Sequence, residues 1–413
     1  MTTREYIVRK KRILVSGAVA AAATLALAGC GGGGGGGEGG GDASTLTILD
    51  YYDNEPDSTL VQEALDACAE TVGVEIERES VPGPDLIQTV LQRAQSKTMP
   101  DVLMLDNPDV QEIAATGGLT PLSTFDIDTS PFTQSILDAA THEGEVYGLG
   151  PAVNTLGLFY NVDVLEEAGI EPPTTWDELK ESAAALTDGD RYGVAFSAIA
   201  DYEGAWQFLP FMWTNGGDEA ELDSPENAEA LQLWVDLIES GSASAGTVNW
   251  SQGDVKDQFV AGKAAMMVNG PWQIPAMADT EFEWDSVLLP VNEEGQDPVA
   301  PLGGEVWTVP ETGKPDVQAK AAEFVECMSN EETSLSIAES RYLVPTRTDL
   351  IDGYIEQVPE MEAFGEQIKT ARARTAQLGA EWPKAATVIY NAVQLAITGE
   401  ATADEAFAKA AQG

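Results

Sequence analysis

Leu46-Thr47-Ile48-Leu49 and Pro100-Asp101-Val102-Leu103-Met104-Leu105 bracket the stretch that decides the fold. The first is a short β-type run. The second is a continuous apolar run of the kind a buried parallel strand carries. Between them, Val74-Glu75-Ile76-Glu77 alternates as a half-buried strand does. Leu60, Val61, Ala64, Leu65 and Cys68 form one helical stripe, and Leu86, Ile87, Val90, Leu91 and Ala94 form another. The order strand, helix, strand, helix, strand predicts an α/β layer with parallel strands. Its ligand crevice then lies at the carboxyl ends of the strands. The loops at those ends are Asp50 to Glu55 and Asp106 to Asp109.

A second unit begins near Val153. Leu158-Phe159-Tyr160 reads as a strand, and Thr175 with Glu178 forms a capping box for a helix through Leu186. Ser224-Pro225-Glu226 opens another helix, with Ser as cap and Pro at the first helical position. Ala230, Leu231, Trp234, Val235 and Ile238 give it an apolar face, and Gly241 is placed to end it. A helix over 255–261 leads into a strand over 264–268 and then the turn Asn269-Gly270-Pro271-Trp272. Thr402 and Glu405 form a further capping box. No repeat or heptad run is present.

Towards the N-terminus the composition changes. Arg4, Arg9, Lys10, Lys11 and Arg12 precede an apolar run from Ile13 to Ala28. This is the pattern of a secretory signal peptide over 1–29, and the run is too short for a spanning helix of about 20 residues. Its end, Leu27-Ala28-Gly29-Cys30, resembles a lipobox. The resemblance implies cleavage before Cys30, lipidation there, and a place on the outer face of the cytoplasmic membrane. The route, general secretory or twin-arginine, stays open. The glycines of 31–41 read as a flexible tether within segment 30–42. Cys68 and Cys327 remain, as either a disulfide or two buried thiols.

The 413 residues carry 69 Asp plus Glu against 21 Lys plus Arg, a net charge of -48. Loss of residues 1–29 removes five cations and Glu5, giving -52. So acidic a surface repels nucleic acid and anionic lipid headgroups. His142 is the only histidine, which excludes multi-histidine metal sites, and it reads as a solvated turn residue. No phosphate-binding loop, Cys-x-x-Cys or zinc-protease motif is present, so neither catalysis nor a cofactor or metal is expected. With so many acids, a carboxylate pair suited to glycoside hydrolysis carries no information. The charge reads as a surface adaptation.

Trp206, Trp213, Trp234, Trp250, Trp272, Trp284 and Trp307 crowd one part of the chain. The apolar C–H face of a sugar stacks on an indole, while its hydroxyls require planar polar partners such as Asp, Asn, Glu and Arg. Trp234, on a helical stripe, reads as core, as do Trp250 and Trp284. Trp272 reads as a ligand contact because its turn follows a strand. Trp206 lies in a polar-to-aromatic loop, and Trp307 follows Gly303-Gly304-Glu305, where small residues admit a ligand.

Several segments in order then resemble one family. They are Glu145-Val-Tyr-Gly-Leu-Gly, Leu158-Phe-Tyr-Asn-Val-Asp-Val-Leu-Glu-Glu-Ala-Gly-Ile and Pro173-Thr-Thr-Trp-Asp-Glu-Leu. Phe259-Val-Ala-Gly-Lys-Ala-Ala-Met-Met-Val-Asn-Gly-Pro-Trp, Tyr342-Leu-Val-Pro-Thr-Arg and Ala396-Ile-Thr-Gly-Glu-Ala-Thr-Ala-Asp-Glu-Ala-Phe follow. From about residue 45 onward the chain resembles the extracellular carbohydrate-binding proteins of ABC importers, the maltose-binding type. The resemblance implies a two-lobed periplasmic-binding-protein-like α/β fold, each lobe a mostly parallel sheet flanked by helices. It places 43–150 plus 290–352 in one lobe and 151–289 plus 353–413 in the other. Hinge crossings fall near Gly150 to Val153, Leu289 to Val291 and 346–352. It further implies a monomeric receptor that closes on a sugar or short oligosaccharide and delivers it to permease subunits.

By the same resemblance Trp272, Asn154, Trp206, Asp106, Asn107, Asp53 and Glu55 face the cleft, and Trp307, Glu305 and Arg341 complete the candidate set. The first loop lacks the Trp often found there. The C-terminal stretch Lys384-Ala385-Ala386 lacks the family's aromatic, so maltodextrin is not specified. The competing readings are a receptor for a polyamine, a glycerol phosphate or a metal chelate, a phosphate-bearing ligand calling on Arg341, Arg347, Arg372 and Arg374, and a surface-anchored glycoside hydrolase.

Overall fold

A computed structural model describes residues 43–278 and 280–412. The expected signal peptide, Cys30 and the glycine tether lie outside the described residues. The strands expected between 46 and 105 are β1 (Thr45–Asp50), β2 (Glu75–Ser80) and β3 (Val102–Asp106). β3 is buried from Val102 to Leu105, as its unbroken apolar run predicts, whereas β2 lies at the sheet edge and keeps its glutamates exposed. Helices Asp57–Val72 and Gly83–Ser96 make the crossovers, and both strand pairs are parallel.

Six further strands complete two sheets: β4 (Gly148–Leu149), β5 (Gly157–Asn161), β6 (Tyr192–Ala195), β7 (Ala264–Asn269), β8 (Trp284–Val287) and β9 (Glu305–Thr308). The first sheet runs β2-β1-β3-β9-β4, with β9 antiparallel to both neighbours. The second runs β8-β5-β7-β6. It differs from the mostly parallel expectation: β5 is antiparallel to β7 and to β8, and only β7 and β6 are parallel. The strand β5 enters directly from the first sheet, without the helical crossover that a parallel neighbour requires.

The chain passes between the sheets at 150–156 and again at 288–304. These passages are tied to each other and to later segments. Ala152–Val153 pairs with Val344–Pro345, Asn154 bridges Gly303, and Pro301–Leu302 pairs with Arg372–Ala373. The last helices, Trp382–Ile397 and Ala403–Ala410, pack with Tyr202–Thr214 and Pro225–Glu239 over the second sheet.

Local signals behaved unequally. The Thr175–Glu178 capping box forms in both directions, and Ser224 caps its helix by accepting from the Asn227 amide. Thr402 starts its helix without a side-chain cap. On helix Pro225–Glu239 the buried face includes Leu233 and Leu237, while Val235 and Ile238 are only partly covered. Trp234 is core, as expected, and stacks among Phe196, Phe208 and Phe211. The stretch taken as a loop before Trp213 is a helix capped by Asp201, buried all round from Gly204 to Trp213. Cys68 and Cys327 form a disulfide, with Cα atoms 5.7 Å apart. His142 lies in a short hairpin opposite Glu145.

Candidate functional site

Two indoles meet where the second sheet faces the first. The Asn269 amide group donates to the Gln252 carbonyl at 2.9 Å and its Oδ1 accepts the Gly270 amide at 3.0 Å, fixing the turn after β7. The Trp272 ring then folds back over Gly270, where a Cβ would sit 1.9 Å from the ring. Trp206, on helix Tyr202–Thr214, presents its ring 6.5 Å from that of Trp272 at 52°. Gly303 passes beneath: a Cβ there would lie 1.9 Å from Asn154 Oδ1 and 2.6 Å from Trp206. Asn154 and Gly303 also exchange backbone hydrogen bonds at 3.2 and 2.8 Å. Asn154 and Trp206 thus meet at Gly303, and Trp272 joins them through its ring contact with Trp206.

The opposing side comes from the strand ends of the first sheet. Asp106, the last residue of β3, accepts from an Arg374 terminal nitrogen at 2.6 Å, and the same guanidinium lies 4.6 Å from the Trp206 ring centre. Arg374 therefore bridges a carboxylate of one sheet and an indole above the other. It is 4% exposed, and its Nε has no hydrogen-bond partner among the described residues. Neither does Trp206 Nε1 or Asp109 Oδ1, in side chains 7% and 6% exposed. Buried polar atoms are usually paired; elsewhere among the described residues the core indoles of Trp234 and Trp382 also have an Nε1 without a partner. Burial raises the Asp106 carboxyl, and the neighbouring Arg374 opposes that rise. Tyr51, directly after β1, donates to Glu305 at the start of β9. Burial, then the Glu305 charge, pushes the Tyr51 phenol well above its ordinary range, so it stays a donor.

The other candidates serve the scaffold. Asn107 is buried and spends both amide hydrogens on the Leu302 and Gly304 carbonyls, at 3.2 and 3.0 Å, tying β3 to the second passage. Asp53 is exposed and accepts from Asn54, and Glu55 caps helix Asp57–Val72 through Thr59. Trp307 is 2% exposed and pairs with Met104 and Leu149 inside the first sheet, so it is core: the glycines before it admit the passage at Asn154. Arg341 is held within its lobe by Asp57 at 2.8 Å and the Tyr52 hydroxyl at 3.1 Å, over the Tyr52 ring. Glu305 faces both Tyr51 and Arg341. Each of the four arginines considered for a phosphate has a carboxylate partner: Asp57, Asp349, Glu219 and Asp106 in order.

Sequence reasoning did not single out Tyr51, Asp109 or Tyr202, nor the contacts of Arg374 with Asp106 and Trp206. Tyr51 and Asp109 lie in the two strand-end loops that the α/β pattern had marked, so the loops themselves were the signal. Nothing local marks Arg374, whose partner is 268 residues away. A separate groove of about 520 Å³ runs beside β8, lined by residues such as Pro172, Leu288, Pro298 and Pro359. No aromatic ring lines it, so it offers no stacking platform. Among the described residues no cluster suits a metal ion, and no helix is long and apolar enough to cross a membrane.

Residues 63–365 match the bacterial extracellular solute-binding protein family. The chain belongs to this family. A binding protein of Brucella abortus (strain 2308) is 28% identical over 215 residues, covering 49% of this chain and 52% of that protein. The chain thus matches about half the length of that relative. A maltooligosaccharide ABC transporter solute-binding lipoprotein of Streptococcus pneumoniae (strain ATCC BAA-334 / TIGR4) is 24% identical, with 85% of each chain covered. The GacH receptor of Streptomyces glaucescens GLA.O, solved unliganded and with acarbose and an acarbose homolog, superposes with a TM-score of 0.80 at 26% identity. That match covers 89% of this chain and 96% of GacH. The two-lobed architecture of this solute-binding protein is therefore that of its family.

Proposed function

We propose that this solute-binding protein is the receptor of an ABC importer, taking a sugar or short oligosaccharide between its two lobes. The observation that carries the reading is the pair of indoles, Trp206 and Trp272, set 6.5 Å apart beside buried polar atoms that lack partners. Sugar C–H faces stack on the rings, and hydroxyls supply the hydrogen bonds that Trp206 Nε1 and Arg374 Nε lack. The pneumococcal and Streptomyces relatives, named for oligosaccharide binding and for acarbose, support the same ligand class.

The lobes are 43–150 plus 290–352 and 151–289 plus 353–413. Ligand contacts from both sides favour the closed form by differential affinity, and a membrane permease recognises that form. Cleavage before Cys30 and lipidation of its thiol hold the receptor, as a monomer, at the outer face of the membrane. On the receptor reading the protein performs no catalysis, in line with the binding-protein names of its family and relatives.

A thermal-shift screen over neutral oligosaccharides, polyamines and phosphorylated polyols tests this, because a ligand that binds the native state raises its stability by mass action. At least one neutral sugar is expected to raise the melting temperature without release of reducing ends. A shift confined to the phosphorylated polyols, or reducing-end release, contradicts the reading.

A further inference from the structure

Carboxyl groups outnumber cations where the lobes meet. Arg374 is paired with Asp106, and Arg341 is held by Asp57, Tyr52 and Glu305. Asp109 is left over. It opens helix Asp109–Ala115, which packs against Gly379–Glu381 of the C-terminal segment, and its Oδ1 is buried without a hydrogen-bond partner. The groups that face it are Asp106 from β3, Glu112 from its own helix, Arg374 from the segment after Arg372–Ala373, and Tyr202 from the helix carrying Trp206. Glu112 in turn feels Lys384 and Glu381. Burial first, and then repulsion by Asp106, push the Asp109 carboxyl up to about 8 against the pull of Arg374.

A buried carboxyl in this position requires either its own proton or a cation, because an unpaired charge is costly out of water. A sugar hydroxyl satisfies the orphan oxygen while Asp109 keeps its proton, but leaves the charge uncompensated once that proton is lost. An anionic sugar adds another negative charge beside Asp106 and Asp109, with every nearby arginine already paired. We propose that the cleft selects a sugar bearing a basic nitrogen, whose ammonium sits against Asp109 while its rings stack on Trp206 and Trp272. This deepens, and rests on, the sugar-receptor reading. No covalent step is involved: on binding, the proton held by Asp109 leaves to solvent and the ligand ammonium takes its place.

The exchange fixes a pH signature. Below the Asp109 titration a proton must be displaced, so affinity for the aminated sugar rises with pH, by about tenfold per unit, up to about 8, and falls again once the ligand's own ammonium loses its proton. A neutral sugar displaces no proton and shows no such rise. The test is titration calorimetry at pH 6 and pH 8 with the best neutral sugar from the screen and its amino-deoxy counterparts, one per ring position. At pH 8 at least one amino-deoxy sugar is expected to bind tenfold tighter than its neutral parent, with an advantage at least tenfold smaller at pH 6. In Asp109→Asn, which keeps the side-chain shape, the ratio of the two affinities collapses toward one. The inference is overturned, and the receptor reading kept, if the neutral parent binds as well as every aminated form at pH 8. It is equally overturned if the ratio ignores pH and survives in Asp109→Asn. Failure of all sugars, neutral and aminated, overturns both.

Discussion

At the scale of single residues the site depends on side chains that are missing as much as on those present. Gly270 leaves room for the Trp272 ring and Gly303 leaves room for Asn154 and Trp206, so two glycines set the positions of both indoles. Asp109 carries a buried carboxyl oxygen without a hydrogen-bond partner among the described residues. Its folded pKa, about 8, lies above the roughly 3.9 of a free aspartate, so the folded state binds the proton more tightly. Stability then falls as pH rises from about 4 to about 8 and changes no further beyond. Asp109→Asn is expected to lose less stability between pH 5 and pH 8 than the parent protein in urea unfolding; equal losses contradict the assignment. The turn that places Trp272 was legible because Asn-Gly-Pro has a stated geometry. Trp307 misled for the converse reason: the glycines before it serve a backbone passage, and a sequence does not distinguish room for a ligand from room for a neighbouring strand.

Among the elements, legibility followed period and length. β1 and β3 and their crossover helices could be read because hydrophobic spacing repeats over enough residues. The paired segments Ala152–Val153 with Val344–Pro345, and Pro301–Leu302 with Arg372–Ala373, are two residues long and carry no period, yet they bind the passages together. Helix Tyr202–Thr214 escaped notice because it is buried on every side and so lacks an amphipathic stripe. The disulfide links helix Asp57–Val72 to helix Pro315–Met328 across a separation of 259 residues, which sequence could not establish. Closing so long a loop restricts the unfolded chain, and its loss costs about 2–5 kcal/mol. Cys68→Ala with Cys327→Ala is expected to unfold at lower denaturant, matching the reduced parent protein; identical midpoints for all three contradict this.

For the whole molecule, the fold and the family followed from ordered motifs, and the contacts between distant side chains emerged only in three dimensions. Asp106, Trp206, Trp272 and Arg374 come from four distant parts of the chain and meet only because the two sheets face one another. Arg374 touches both sides, so a ligand that satisfies its orphan nitrogen acts on the lobe contact itself. The net charge of -48 is spread over an acidic surface, whereas the site depends on a local imbalance of a few groups. Titration calorimetry of the best-binding sugar into the parent protein, Trp272→Ala and Trp206→Ala tests the central claim most directly. The account predicts saturable one-to-one binding that weakens at least tenfold, about 1.4 kcal/mol, in each variant while both remain folded. Unchanged affinity in both would contradict it and place the sugar elsewhere on the molecule.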